Sequence, residues 1–91
     1  MRLETLRSLE EAIERYNRYR APEARAELLS SSGNRAEVLF SGPFCRTCGV
    51  TDWIEDLVFV LSELGVKARL VEIRGSLEDE SLVGLFEIEE S

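Results

Sequence analysis

Histidine and glutamine do not occur in this sequence, and lysine, methionine and tryptophan occur once each against ten arginines. Without histidine, activation of a serine of the Ser-His type is excluded, Ser41 included. Only two cysteines are present, so one chain cannot supply the four ligands of a structural zinc site. The longest apolar run, Leu57 to Leu61, falls far short of the roughly 18 residues that a membrane-spanning helix needs. Met1-Arg2-Leu3-Glu4 carries an acid at once and opens no apolar export segment, which points to the cytoplasm. Nor do the glycines form a phosphate-binding loop: Gly42 and Gly49 flank a cysteine pair and lack the Lys-Ser/Thr pattern.

What is present is an acidic chain with periodic apolar blocks. Its 91 residues have room for one core, so residues 1–91 read as one domain. The net charge of −7 repels phosphate backbones and anionic membranes, which argues against both as partners. The charge is uneven. Residues 1–46 hold eight arginines against seven acids, and residues 47–91 hold three bases against eleven acids, so the two halves attract. The arginine-for-lysine bias and the missing glutamine are compatible with a thermophilic source, a setting in which intracellular disulfides persist.

Leu3, Leu6, Leu9, Ile13 and Tyr16 follow helical spacing, which predicts an amphipathic helix over residues 3–20. Pro22 suits the first turn of a second helix, with Leu28 and Leu29 as its apolar contacts and Ser30-Ser31-Ser32-Gly33-Asn34 as a closing loop. Residues 1–34 are then a helical segment and residues 35–91 an α/β core. Ala36 to Ser41 is nearly continuous in apolar character and predicts a strand covered on both faces, ended by Gly42-Pro43. Thr51 reads as the N-cap of a helix whose stripe is Ile54, Leu57, Val58, Leu61 and Leu64, with Gly65 as its stop. Val66 to Ile73 alternates as a strand and completes a βαβ unit over residues 36–73 with a parallel pair. In Ser76 to Ser91, Leu82, Leu85 and Phe86 fit a short helix while Leu82 to Ile88 fits a third strand equally, and the strand is slightly favoured. No internal repeat is visible.

The chemically distinctive feature is Cys45-Arg46-Thr47-Cys48, and three readings compete for it. As a redox dithiol, one thiolate attacks a partner disulfide and the other cysteine resolves the mixed intermediate. Arg46 and the positive end of the following helix favour the thiolate, while Asp52, Glu55 and Asp56 work against it. As a metal site, Cys45 to Gly49 resembles one zinc-ribbon knuckle, which requires two chains to share one Zn ion. As a structural pair, the cysteines form a static disulfide or two small buried apolar groups.

Val38-Leu39-Phe40-Ser41-Gly42-Pro43-Phe44-Cys45-Arg46-Thr47-Cys48 resembles the strand and active-site loop of thioredoxin-like proteins. The resemblance covers residues 36–73. It implies a thioredoxin-like βαβ, Cys45 as exposed nucleophile and Cys48 as resolving thiol, with Pro43, Phe44 and Arg46 shaping the site. It implies thiol–disulfide exchange with protein or small-molecule thiols and no organic cofactor. A sheet of half size would be completed by a second copy, so a homodimer is expected. The competing class is a non-enzymatic homodimeric interaction module with a structural disulfide or a shared zinc.

Trp53 on the first turn of its helix reads as partial core. Tyr16, Tyr19, Arg15, Arg18 and Arg20 read as a solvated face, because Glu10, Glu11 and Glu14 offer helix ion pairs. The tail acids Glu87, Glu89 and Glu90 read as solvated, with docking on the arginine-rich helix in a dimer as the alternative.

Overall fold

Six elements follow one another in the computed structural model, which describes residues 2–20, 24–42, 50–76 and 81–89: α1 (Leu3–Arg20), β1 (Arg25–Ser32), β2 (Arg35–Ser41), α2 (Val50–Glu63), β3 (Lys67–Ser76) and β4 (Ser81–Glu89). The four strands form one antiparallel sheet in the order β1-β2-β4-β3. Both helices lie on the same face of it, giving a two-layer mixed α/β unit. Among the described residues no helix is long and apolar enough to cross a membrane.

Helix α1 forms where the periodicity places it. Leu9, Ala12, Ile13 and Tyr16 are buried on one stripe, and the exposed face carries the Glu11–Arg15 and Glu14–Arg18 pairs. Helix α2 buries Ile54, Leu57 and Leu61. Thr51, expected as its cap, falls inside the helix, which starts at Val50. At its other end the Gly65 amide donates to the Ser62 carbonyl (3.0 Å) and the Val66 amide to the Leu61 carbonyl (2.9 Å). This is a Schellman ending, and it needs the left-handed φ of 80° that Gly65 adopts.

The second helix expected after Pro22 is not formed. Residues 25–32 are strand β1, so residues 1–34 are not a helical segment beside a separate core. Ala26 and Leu28 alternate onto the helix-covered face, and the two-residue Gly33-Asn34 connection folds β1 back on β2. The adjacent parallel pair is corrected as well. β2 and β3 run in the same direction, but β4 lies between them and is antiparallel to both. The last segment is the strand that its pattern favoured, and it takes the central position because Leu82, Phe86 and Ile88 face both helices.

The architecture carries a repeat: α1-β1-β2 and α2-β3-β4 are two α-β-β units. Leu6, Leu9, Ile13 and Tyr16 of α1 pack into the core at the same spacing as Ile54, Leu57 and Leu61 of α2 with Leu64 just past its end. The edge strands open alike, Arg25-Ala26-Glu27-Leu28-Leu29 and Lys67-Ala68-Arg69-Leu70-Val71. Each breaks register at its last-named residue, Leu29 or Val71, which the bulge turns out toward solvent.

The core runs between the layers through Val38, Phe40, Phe86 and Ile88. Tyr16 meets Phe40 edge-on at 5.4 Å between ring centroids, and Phe40 meets Phe86 at 6.1 Å. Gly84 sits where α2 comes closest to the sheet. A Cβ there would lie 2.9 Å from Phe86 Cε1 and 3.2 Å from both Ile54 Cγ2 and Phe40 Cε1.

Candidate functional site

The cysteine-bearing connection is delivered by β2 and received by α2, two elements anchored in the core by Val38 and Phe40 on one side and Ile54 and Leu57 on the other. Gly42 ends the strand with a φ of 126°, a conformation that a residue with a Cβ rarely adopts. Pro43, Phe44, Cys45, Arg46 and Cys48 themselves lie outside the described residues, as do Thr47 and Gly49.

The sheet register shows which strand ends meet where β2 stops. Arg25, Ser41, Ser81 and Ser76 are cross-strand partners in one row at the end of the sheet. β1 opens at that row, β2 and β3 end there, and β4 starts there. The N-terminus of the 14-residue α2 opens at the same end.

The first turns of α2 are fixed to the last turns of α1. The Tyr16 hydroxyl donates to the Trp53 carbonyl (2.8 Å). The Arg20 guanidinium lies 4.8 Å from the centroid of the Trp53 ring and pairs with the Asp56 carboxylate. Trp53 is half-buried, as its partial-core reading requires. The solvated-face reading of α1 holds for Arg15 and Arg18, which make helix ion pairs, and for Tyr19. It fails for Tyr16, which is core, and for Arg20, which turns to α2. The signal for Arg20 was its place on the stripe that follows Ile13 and Tyr16 by helical steps.

Beyond this clamp, Tyr16, Tyr19, Arg20, Asp56, Phe59 and Glu63 line a cleft of about 510 Å³ between the helices. Tyr19 and Phe59 are 81% and 72% exposed on its rims. Of the tail acids, Glu87 pairs with Arg35 and Arg69 on its own sheet, and Glu90 lies outside the described residues. No group of three or more acidic or cysteine side chains among the described residues is placed to hold a metal ion. Compared with known proteins, the chain matches no protein-family model and no curated protein.

Proposed function

We propose that this chain is a small thiol–disulfide oxidoreductase that works through the Cys45–Cys48 dithiol, with no organic cofactor, in the cytoplasm. The observation that supports the reading most is positional. α2 begins at Val50, two residues after Cys48, so the amide-rich, positive end of a core-anchored helix follows the dithiol directly. On this reading the resemblance to thioredoxin-like proteins extends only over the segment from β2 through α2, since β4 lies between β2 and β3.

In the reaction, the Cys45 thiolate attacks one sulfur of a partner disulfide, and the partner's other sulfur leaves as a thiolate and takes up a proton. The Cys48 thiol loses its proton and attacks the Cys45 sulfur of the mixed disulfide, releasing the second partner sulfur as a thiol. Two electrons and two protons pass to the partner, and Cys45 and Cys48 end as a disulfide. Arg46 favours the thiolate in the first step, and Asp52 on the first turn of α2 opposes it.

The test is a glutathione redox titration of metal-analysed protein with Cys45→Ser and Cys48→Ser controls. A reversible two-electron transition in the cellular range, with Cys45 alone alkylating fast at neutral pH, is the expected result. Slow, equivalent or permanently bridged thiols would refute it. Half an equivalent of zinc per chain would instead assign the cysteines to a shared site in a homodimeric, non-enzymatic module.

A further inference from the structure

We infer that two copies of this chain associate through the face of the sheet that the helices leave open, sheet against sheet, about a two-fold axis running along the strands. α1 and α2 both cover the face that bears Val38, Phe40 and Phe86, and no described element covers the other. Across that open face the register sets out rows: Glu27, Leu39, Val83 and Arg74 in one, then Ser30, Glu37, Leu85 and Glu72, then Ser32, Arg35, Glu87 and Arg69. Its centre is apolar, with Leu39 and Val83 half-buried and Leu85 shielded by its neighbours.

Charge selects the occupant. With Arg25 in the first row and Lys67 and Glu89 in the last, this face holds four arginines and one lysine against five glutamates, so the net charge of −7 is carried by the rest of the molecule. Two such anions approach without net repulsion through a balanced face. The arrangement is also self-complementary. A two-fold axis along the strands keeps each row in place and lays β1 of one copy over β3 of the other. Glu27 then faces Arg74 of the second copy, Leu39 faces its Val83, and Arg35 faces its Glu87. Sheets stacked in this way lie about 10 Å apart.

The edges of the sheet are poorer candidates. Both edge strands carry a bulge, at Leu29 and Val71, and Asn17 occupies the outer backbone of β1 at Ala26, so strand-to-strand pairing is interrupted on either side. Seven paired rows across four strands span roughly 19 by 24 Å. That is on the order of 900 Å² for both copies together, the size of a weak, reversible contact and below that of a permanent dimer, so the expected dissociation constant is about 10 μM to 1 mM.

The inference does not depend on the chemistry of Cys45 and Cys48. Its test is sedimentation equilibrium of the full chain from about 1 μM to about 1 mM, with reductant and chelator present. A reversible monomer–dimer equilibrium is expected. Glu27→Arg and Arg74→Glu should each weaken it about tenfold, since each disrupts two symmetric pairs, and the two together should restore it. Leu39→Asp should abolish dimerisation with the circular dichroism spectrum unchanged. If Leu39→Asp does not fold, the exposed charge exchanges decide alone. A monomer at every concentration, or a dimer that ignores both exchanges, would overturn the inference.

Discussion

Replacing Asn17 with alanine removes both hydrogen bonds that α1 makes to the outer backbone of β1. The Asn17 amide nitrogen donates to the Ala26 carbonyl at 3.0 Å, and the Ala26 amide donates to the Asn17 side-chain oxygen at 2.7 Å. Ala26 is buried, so water replaces these bonds only in part. Two neutral bonds at roughly 0.5–1.5 kcal/mol each give a loss of about 1–3 kcal/mol. Alanine is the better helix former by up to roughly 0.7 kcal/mol, which leaves a net loss of about 1–2 kcal/mol. For a domain of this size that lowers Tm by about 5–15 °C. Thermal and urea unfolding followed by far-UV circular dichroism measure the total. Amide exchange at Ala26, compared with that at Val38 in the neighbouring strand, locates it. Asn17→Asp keeps the acceptor but sets a carboxylate against the Ala26 carbonyl, so at neutral pH its loss should be at least as large. An unchanged Tm together with unaltered Ala26 exchange would refute the view that Asn17 stands in for a missing strand at this edge.

Gly84→Ala drives a methyl into Phe86, Ile54 and Phe40 and should cost about 1–2 kcal/mol after the gain from a stiffer unfolded chain is set against the overpacking. A denaturation midpoint at or above that of the parent would mean that α2 has room to move. Gly65→Ala forces a Cβ into the left-handed ending of α2 and should lose about 1–2 kcal/mol, read from the same unfolding curves. Arg20→Met removes the pair with Asp56 and the cation over Trp53. It should change the emission of this single tryptophan while costing about 1 kcal/mol, and an unaltered spectrum would show that the guanidinium does not rest on the ring. Cys48→Ser should trap a mixed disulfide on Cys45, visible by mass as a partner adduct, whereas Cys45→Ser should abolish exchange altogether.

The amino-acid sequence by itself determined α1, β2, α2 and β3, from local pattern: Leu9, Ile13 and Tyr16 on one helical stripe, the apolar run of Ala36 to Ser41, the alternation of Val66 to Ile73 and Gly65 at a stop. It left Leu82 to Ile88 open between a short helix and the strand β4, and the run of β2 suggested two covered faces where only Ala36, Val38 and Phe40 are buried, because both helices lie on one side of the sheet. It also placed the cysteine pair between a strand and a helix. Residues 22–32 are locally ambiguous, since Leu28-Leu29 behind Pro22 suits a helix as well as the strand β1. The deciding facts are the Gly33-Asn34 turn and the pairing of Ala26 and Leu28 with Phe40 and Val38. The strand order was decided by tertiary structure alone. Local pattern marks β2 and β3 as strands, but it carries no signal for which strands pair, and β4 enters between the other two because its Leu82, Phe86 and Ile88 fill the space beneath both helices. The duplicated α-β-β plan stayed hidden for a related reason. Tyr16 answers to Leu64 and Ala36 to Gly84, positions that share a burial and not a residue type. Backbone hydrogen bonding is the same for every side chain, so neighbours in a sheet are selected by the core that their faces must jointly close.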